Sequence, residues 1–578
     1  MVLTVADLVE HAVDLVPDRV ALVCGNRRAT YAQFEARANQ LAHHLARHGV
    51  EPGTHVGVFA SNAMETAETI YALCKLRAAA VNINYRSTEN ELRYVLRDSD
   101  AVALVHQSGL SAAVDAVRAD LPRLQHALAF EGGPGTTGLG PGTTGPGTLE
   151  AAATDAPVAS GSASYEKALA DESPERDFAP RDPNDLFLIY TGGTTGRPKG
   201  VMWRHEDIWR VLGGGVDFMT GVPITDEWQQ ARDGSAYTLV RMVAAPLIHG
   251  QAQWVMLGGL FSAGTIVLMP KFDAHEMWRA IDREKVQVLA IVGDAMGRPL
   301  IEAYHQGGYD GSSLVAISST AALMSPTVKL QFLETFPNAL LTDAIGSSET
   351  GFSGMGIVTK DTIESRGPRV TAHRKAIVID ENNQRIAPGT GTVGRLARGG
   401  NLPQGYYNDP EKTKRLFAEV EGERYTVPGD FAIHEADGTI TLLGRGDMCV
   451  NTGGEKVFPE EVESVLKAHP GVFDALVIGV PDERLGSRVA ALVQWREGHE
   501  PDMASLDTAG RAELAGYKLP RSYWWVERIG RLATGKPDYS WARKYATETS
   551  PSQQLPVTAG FIKTANTDRT DKTGAEGP

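Results

Sequence analysis

The sequence is short of cysteine and of positive charge, and it has no apolar run long enough to cross a bilayer. Its 578 residues include three cysteines, without a CxxC pair or a neighbouring histidine cluster. We therefore expect neither a disulfide framework nor a structural zinc site. We expect the protein to occupy a reducing compartment. The formal net charge of -15 argues against nucleic acid or an anionic membrane as the main partner. These absences predict a soluble, cytoplasmic protein and leave a nucleotide pocket open.

The amino terminus also lacks the features of a targeting segment. Acidic residues interrupt it and no basic region precedes it, whereas its apolar residues from Val5 to Val16 fall on one face of a predicted amphipathic helix. The chain length and the hydrophobic fraction of 42% suffice for at least two domains. From residue 1 to about 130, helix and strand patterns alternate, which predicts a mostly parallel sheet covered by helices.

Residues 131–148 differ from the rest of the chain. GPGTTG at Gly133–Gly138 recurs at Gly140–Gly145, and such a repeat offers nothing to pack into a core. We predict a flexible surface loop that tolerates deletion, with a functional lid as the alternative.

The stretch YTGGTTGRPKG, from Tyr190 to Gly200, is the most informative in the sequence. It follows a short apolar run that reads as a buried strand. Its glycines allow backbone N–H groups to converge on an anion, and Thr191, Thr194, Thr195 and Lys199 add hydroxyl and ammonium donors. The stretch therefore predicts a polyphosphate site.

Two other interpretations of this stretch were weighed. A Walker A loop needs Gly-Lys followed by Ser or Thr, but Arg197 and Pro198 separate Gly196 from Lys199, which excludes a P-loop NTPase. A flexible surface turn is the alternative for the stretch considered alone.

Further stretches downstream combine glycine with a charged residue. They are IGSSETG at Ile345–Gly351, VPGD at Val427–Asp430, LGRGD at Leu443–Asp447 and RLATGKPDY at Arg531–Tyr539. The first nearly fits the nucleophile elbow of hydrolases, but GxSxG requires glycine where Thr350 stands. A hydrolase is therefore not favoured.

Taken in this order, the stretches resemble the motifs of the adenylate-forming superfamily, which includes acyl-CoA synthetases, adenylation domains and luciferases. The resemblance implies an α/β fold. A large amino-terminal domain of β-sheets flanked by helices (αβαβα) would span residues 1–446 and bind AMP and the acyl group. A small, mobile α+β domain with the catalytic lysine would span residues 447–546. The polar residues 547–578 are predicted to be disordered.

The resemblance also assigns roles to individual residues. Lys536 would bridge the substrate carboxylate and the α-phosphate of ATP, Thr191 and Glu349 would bind Mg²⁺, and His249 would orient the carboxylate or the phosphate. A structural histidine satisfied by backbone is the alternative for His249. The other predicted contacts to ATP, AMP or CoA are Gly193, Thr194, Thr195, Gly196, Lys199, Ser348, Asp430, Arg445, Gly453 and Gly454, with Asp447 as the hinge.

The chain departs from the superfamily pattern around the expected adenine site. Relatives carry an aromatic residue where Ile345 stands and paired glycines where Thr320 and Ala321 stand. Stacking on adenine must then come from elsewhere or be replaced by apolar contact.

The substrate is predicted from what surrounds these motifs. Pro246–Trp254 contains no acidic residue to pair with an amino acid's ammonium, and the run from Met202 to Trp209 resembles actinobacterial acyl-CoA synthetases that act on long-chain or steroid side-chain acids. An ATP-dependent acyl-CoA synthetase is therefore predicted. The alternatives are an acyl-AMP ligase that serves a carrier protein and a catalytically silent nucleotide-binding homologue. The sequence leaves open whether the chain forms a homodimer.

Overall fold

A computed structural model describes residues 4–131, 161–191, 197–216, 222–363, 368–372, 375–452, 455–482, 485–532 and 536–554 of the chain. Contacts divide the chain into two compact units. The first comprises Met1–Met448 and Gly530–Ser540, and the second comprises Cys449–Ile529 and Trp541–Pro578. Apart from Glu131, the predicted loop at 131–148 lies outside the described residues. In the described ranges, no helix combines the length and the apolar character that a membrane span requires.

The first unit begins with alternating helices and strands, as predicted. They are α1 (Val5–Leu15), β1 (Val20–Cys24), β2 (Arg27–Thr30), α2 (Tyr31–Arg47), β3 (His55–Phe59), α3 (Met64–Lys75), β4 (Ala79–Ile83), α4 (Glu89–Asp98), β5 (Ala103–Gln107), α5 (Ser111–Arg118) and β6 (His126–Phe130). Threonine starts several of these helices, because its hydroxyl accepts a hydrogen bond from a backbone N–H of the first turn. Thr4, Thr30 and Thr88 cap α1, α2 and α4 in this way.

The middle of the chain continues the alternation. Its elements are β7 (Ala163–Ser164), α6 (Tyr165–Ala170), β8 (Leu186–Thr191), β9 (Lys199–Arg204), α7 (His205–Leu212), α8 (Gln229–Ala236), β10 (Val240–Val243), α9 (Gly250–Phe261), β11 (Thr265–Leu268), α10 (Ala274–Glu284), β12 (Val288–Ile291), α11 (Gly293–Gln306), β13 (Ala316–Thr320), α12 (Pro326–Thr335), β14 (Leu340–Ser347) and β15 (Gly351–Ile357).

Strands dominate the chain from residue 368 to 445. The elements are β16 (Arg369–Ala372), β17 (Ala376–Ile379), β18 (Val393–Gly399), β19 (Gly405–Tyr406), α13 (Pro410–Leu416), β20 (Phe417–Val420), β21 (Glu423–Thr426), β22 (Asp430–His434) and β23 (Thr439–Arg445).

The strands of the first unit form three sheets. The largest has the order β2-β1-β11-β10-β12-β13-β14-β15-β16-β23-β22-β18-β21-β20, with β17 on β18; it is parallel from β1 to β14 and antiparallel beyond. A second, parallel sheet has the order β4-β3-β5-β6-β7. The third is the antiparallel sheet β19-β9-β8. Buried apolar side chains from the helices and sheets form a continuous core that includes Trp203, Trp209 and Trp278.

The second unit is built on an antiparallel pair with helices packed beside it. Its elements are β24 (Val450–Thr452), β25 (Glu455–Val457), α14 (Pro459–Ala468), β26 (Val472–Asp482), β27 (Gly486–Trp495), α15 (Met503–Glu513), β28 (Ser522–Trp525), α16 (Tyr539–Glu548), which starts in the first unit, and β29 (Gln553–Gln554). The sheet order is β25-β24-β27-β28-β29, with β26 on β27. The predicted fold class, an α/β protein with a large sheet-and-helix part and a smaller α+β part, is confirmed.

The predicted disordered tail begins inside ordered structure. Its first residues, 547–554, contain the end of α16 and strand β29, whose Gln553 and Gln554 pair with Tyr523 and Ser522. The polar composition predicted disorder because it offers little to bury, but strand pairing needs only backbone groups. The rest of that tail lies outside the described residues.

Candidate active site

The stretch from Tyr190 to Gly200 joins strands β8 and β9, which pair as an antiparallel hairpin. Thr191, the last residue of β8, lies opposite Lys199, the first residue of β9. The Thr191 hydroxyl donates to the Lys199 carbonyl oxygen over 3.4 Å. The loop residues Gly193, Thr194, Thr195 and Gly196 lie outside the described residues, so their assignment to phosphate stays a prediction.

The ammonium group of Lys199 contacts a carboxylate of the fold. Its Nζ lies 2.9 Å from Oδ1 of Asp98, at the end of α4, and Asp98 also accepts hydrogen bonds from the hydroxyls of Tyr94 (3.1 Å) and Tyr190 (3.0 Å). Burial by itself would lower the pKa of Lys199, but the hydrogen bonds with Asp98 and Tyr94 raise it above its ordinary value. In this structure Lys199 connects the start of β9 to α4, and its predicted contact with phosphate stays a prediction.

A buried asparagine connects the phosphate hairpin to the turn before α9. Asn82, on β4, accepts a hydrogen bond from the Tyr190 N–H (2.8 Å) and donates to the Tyr190 carbonyl oxygen (2.8 Å). The same side-chain nitrogen donates to the carbonyl oxygen of Ile248. One side chain thereby fixes the spacing between the end of β8 and the residue before His249.

The imidazole of His249 is held in this turn with one nitrogen unsatisfied. Its Nε2 is buried and has no hydrogen-bond partner among the described residues. Burial lowers the pKa of His249 to about 3, and the positive charge of Lys536 adds to that effect. A neutral imidazole with an unused buried nitrogen can donate to or accept from a substrate, because leaving such an atom unpaired is costly. The alternative, a structural histidine whose ring nitrogens are hydrogen-bonded to backbone groups, does not hold for Nε2.

Glu349 is buried and positioned by a tyrosine. Its Oε1 accepts a hydrogen bond of 2.9 Å from the hydroxyl of Tyr406, on strand β19. Tyr406 lies opposite Val201 on one edge of β9, and Thr191 lies opposite Lys199 on the other edge. Because these two positions are two residues apart along one strand, the sheet places the Glu349 carboxylate and the Thr191 hydroxyl in the same part of the first unit.

The turn that carries Glu349 has its own supports. The Ser348 carbonyl oxygen accepts a hydrogen bond of 2.8 Å from Trp203 Nε1, and the Ser347 hydroxyl accepts one of 3.2 Å from the Glu349 N–H. Trp203 is fully buried on β9, so the same strand anchors the turn and the tyrosine.

Charges from four distant motifs meet near Glu349. Arg445 Nε lies 3.4 Å from Asp430 Oδ1 across the β22–β23 pair. Burial raises the pKa of Asp430, Glu349 adds to the rise, and the positive charges of Arg445 and Lys536 oppose it. Lys536 taken as a whole residue is exposed, yet burial of its ammonium group lowers its pKa. The positive charge of Arg445 also lowers this pKa, whereas the negative charges of Asp430 and Glu349 raise it. These mutual effects require the groups to lie close together.

The loop of Lys536 belongs to the first unit. Within it the Leu532 N–H donates to the Lys536 carbonyl oxygen over 2.9 Å, and the Asp538 N–H donates to the Gly530 carbonyl oxygen over 3.0 Å. Gly453 and Gly454 lie outside the described residues, and of Asp447 only the backbone is described, in the 3-10 turn Gly446–Met448.

Ile345 does not replace the aromatic residue expected against adenine. Its side chain is buried in a cluster with Val370, Val378 and Leu396, which belong to β16, β17 and β18. Nearby, Ala321 has φ of +67°, a left-handed conformation that glycine adopts more readily. The side chain at 345 therefore packs into the core of the first unit.

Sequence reasoning missed Asp98 and Tyr406. Neither carries a local signal, because each acts on a residue far away in the chain: Asp98 on Lys199, and Tyr406 on Glu349.

Two protein families match the chain. The AMP-binding enzyme family matches residues 9–407, and the AMP-binding enzyme C-terminal domain matches residues 461–536. Among curated proteins, the chain is 50% identical over 551 residues to a 3-oxocholest-4-en-26-oate–CoA ligase of Rhodococcus rhodochrous, covering 94% of this chain and 96% of the other. It is 46% identical over 563 residues to a medium/long-chain-fatty-acid–CoA/3-oxocholest-4-en-26-oate–CoA ligase of Mycobacterium tuberculosis (strain ATCC 25618 / H37Rv), covering 97% and 98%.

Solved structures share the fold at low identity. The anthranilate CoA ligase AuaEII in complex with anthranoyl-AMP has a TM-score of 0.79 and 22% identity, covering 95% of this chain and 99% of that chain. ATP-bound MatB from Rhodopseudomonas palustris has a TM-score of 0.76 and 24% identity, covering 94% and 99%.

Proposed function

We propose a two-step ligase reaction for this chain, which belongs to the AMP-binding enzyme family. In the first step a carboxylate oxygen of the acid attacks the α-phosphorus of ATP, and pyrophosphate leaves. In the second step the thiol of CoA attacks the acyl carbonyl, and AMP leaves. The enzyme is thus an AMP-forming acid–thiol ligase.

One observation carries the proposal more than any other. Lys536, Asp430, Arg445 and Glu349, which lie up to 187 positions apart in the sequence (536 minus 349), act on one another electrostatically. Adenylation brings two anions together, so a site for it needs fixed positive groups beside acceptors for the ribose. This charge arrangement supplies both.

Lys536 neutralises charge in the first step. Its ammonium would donate to the substrate carboxylate and to an α-phosphate oxygen, cancelling their repulsion as the new P–O bond forms. Asp430, held by Arg445, would accept hydrogen bonds from the ribose hydroxyls. His249, neutral and with a buried unused nitrogen, would orient the carboxylate.

The residues of the site fit a magnesium ion. Glu349 offers a buried carboxylate, one oxygen of which accepts a hydrogen bond from Tyr406. Thr191 offers a hydroxyl at the end of β8. Oxygen ligands of this kind suit Mg²⁺. When bound, the ion would neutralise phosphate charge.

The second step uses the smaller unit. The boundary between the compact units falls at Met448, one residue after Asp447, which supports Asp447 as the hinge. We propose that Gly453 and Gly454 then line the path of the CoA pantetheine arm. We propose that the reaction takes place in the cytoplasm, and whether the chain forms a homodimer stays open.

The acid is proposed to be a long-chain or steroid side-chain acid. The curated relatives at 46–50% identity carry names of this type, and Pro246–Trp254 has no acidic residue to pair with an amino group. CoA is preferred over a carrier protein as acceptor because the same relatives are named CoA ligases.

Pyrophosphate release across a panel of acids tests the proposal. We expect turnover with ATP, Mg²⁺ and apolar acids of long-chain or steroid type, and thioester formation when CoA is added. AMP release that depends on a carrier protein and not on CoA would favour the acyl-AMP ligase. No pyrophosphate release with any acid, from protein that binds ATP, would favour the silent homologue.

Replacement of Lys536 separates the two steps. Lys536→Ala is expected to lower adenylate formation by about 10²- to 10³-fold, the usual effect of removing a preorganised charged donor, and to spare thioester formation from a supplied acyl-adenylate. Lys544→Ala, at an exposed lysine of α16, is the matched control and should change neither rate. Equal losses in both steps would contradict the assigned role.

A further inference from the structure

Three histidines meet on the first unit, on elements that carry none of the proposed ligase-site residues. His44 lies on the last turn of α2, His48 directly follows that helix, and His126 starts β6. One nitrogen from each ring lies within 4.8 Å of the others. We propose that His44, His48 and His126 bind a divalent transition-metal ion of the Zn²⁺ class.

The spacing in α2 places two of these rings together. Residues four apart on a helix lie on the same face, so His44 and His48 stack with ring centroids 4.2 Å apart. His126 comes from the neighbouring parallel sheet, and its ring centroid lies 4.0 Å from that of His48. The group therefore combines a local pair with a partner brought in by the fold.

Hydrogen bonds identify the nitrogens that carry lone pairs. His48 Nδ1 lies 2.7 Å from the His44 carbonyl oxygen, which can only accept, so Nδ1 is protonated and Nε2 carries the lone pair. No hydrogen bond joins His44 Nδ1 to Glu172 Oε1, but the two atoms lie 3.5 Å apart. The negative charge of the carboxylate favours a proton on Nδ1 and a lone pair on Nε2.

The two remaining nitrogens face each other. His44 Nε2 and His126 Nε2 are 2.9 Å apart, so without a metal one of them must carry the proton that the other accepts. Ligands on a tetrahedral Zn²⁺, each about 2.0–2.1 Å from the ion, are separated by about 3.3–3.4 Å. A small opening of the pair would let the ion take the place of the shared proton.

Glu172 gives the site an outer carboxylate. A ligand histidine usually donates its other N–H to a carboxylate, which fixes the ring and strengthens its lone pair. Glu172 stands in that position beside His44, and it is itself held by Arg47. Its side chain is nearly buried, at 6% exposure.

Burial favours the neutral, metal-binding form of two of these rings. It lowers the pKa of His44, and it lowers the pKa of His126 to about 4. His48 is exposed, which gives the ion a path from solvent.

Metal uptake by full-length protein tests the proposal. Protein stripped with a chelator, then dialysed against Zn²⁺ and against metal-free buffer, is analysed for bound metal by mass spectrometry, and Co²⁺ binding is followed by visible absorption. We expect about one ion per chain and absorption bands typical of four- or five-coordinate cobalt.

His48→Gln removes a ligand at an exposed position and should leave the fold intact. It is expected to weaken Zn²⁺ binding by more than about tenfold, and Glu172→Gln by about tenfold, as for outer-shell carboxylates. The control His305→Gln removes an exposed histidine of α11 and should bind like the wild type. Equal metal uptake by the wild type, His48→Gln and His305→Gln would overturn the proposal, as would no uptake by the wild type.

Discussion

At the scale of single residues, the hydrogen bond from Tyr406 to Glu349 links the β19-β9-β8 sheet to the charged residues of the proposed active site. Burial raises the pKa of Tyr406, and the charge of Glu349 adds to the rise, so the hydroxyl stays protonated and remains a donor. A buried carboxylate depends on such donors, because it has lost the hydrogen bonds of water. Tyr406 is therefore a positioning residue for the proposed magnesium ligand.

Tyr406→Phe should lower pyrophosphate release by about tenfold or more. Hydrogen bonds to charged groups contribute about 1.5–3 kcal/mol, and the mutation leaves the ring packing in place. The measurement is the steady-state rate over a range of Mg²⁺ concentrations, with a higher Mg²⁺ requirement expected in the variant. Tyr425→Phe, which removes a tyrosine hydroxyl that contacts Glu423, is the control. An unchanged Mg²⁺ dependence would show that Tyr406 does not position Glu349 for the ion.

His249 is expected to act without titrating. Since burial and Lys536 lower its pKa to about 3, the imidazole is neutral throughout the range from about pH 5 to pH 8. His249→Asn should lower kcat/KM for the acid by about tenfold, the effect of one lost hydrogen bond to a charged group. The pH–rate profile of the variant should keep the shape of the wild-type profile. A shift of its acid limb would show that His249 gains and loses a proton during turnover.

At the scale of elements, the β8–β9 hairpin is attached to α4 through Lys199 and Asp98. Asp98 ends α4, where a negative charge opposes the helix dipole, and the ammonium of Lys199 offsets that cost. The attachment therefore holds the described ends of the hairpin, Thr191 and Lys199, at a fixed place on the first unit. The contact with Asp98 gives Lys199 an anchoring role in this structure, and its contact with phosphate stays a prediction.

A double-mutant cycle distinguishes the two roles of Lys199. If Lys199 anchors the hairpin, Lys199→Met and Asp98→Asn should each raise KM for ATP by about tenfold, and the double variant should be no worse than either, because both remove one interaction. If Lys199 binds phosphate, Lys199→Met alone should lower kcat. Lys375→Met, at an exposed lysine paired with Glu423, is the control and should have little effect.

Most elements were predictable because local patterns define them. The amphipathic helix predicted from Val5 to Val16 is α1 (Val5–Leu15), and the helix–strand alternation predicted up to about residue 130 is present from α1 to β6. Apolar spacing and helix-start residues lie within a few positions of each other in sequence. The tail was mispredicted at 547–554 because strand pairing with β28 leaves no such pattern.

At the scale of the whole molecule, buried histidines make stability depend on pH. His106 and His205 are buried, and burial lowers the pKa of each to about 4. In the unfolded chain their pKa is near 6.5. The unfolded state therefore binds more protons below that value, and the stability these residues contribute is present above pH 6.5 and is lost as the pH falls towards 4.

The urea midpoint of unfolding should fall between pH 7 and pH 5.5. Each of these two histidines should account for about 1 kcal/mol of the loss over that interval. His106→Gln removes one titrating group and should reduce the loss of unfolding free energy between pH 7 and pH 5.5 by about 1 kcal/mol. His305→Gln, at an exposed position, should leave that loss unchanged. An equal fall in the wild type and His106→Gln would assign the acid sensitivity to other groups.

The sequence by itself determined the chemistry and the fold class. The order of the glycine and charge motifs around Thr191, Glu349, Asp430 and Lys536 indicated the adenylate-forming superfamily, which the family match confirms. Short motifs carry this information because each places a glycine turn beside a charged or hydroxyl side chain within a few residues.

Only the tertiary structure decided the pairs of partners. In the folded chain Lys199 contacts Asp98, Tyr406 contacts Glu349 and His126 contacts His44. The side chain of Ile345 packs into the core. These partners are far apart in the chain, and their contact depends on strand register and sheet order. A shift of one residue in a strand would move each side chain to the opposite face, so local sequence cannot specify the pairs.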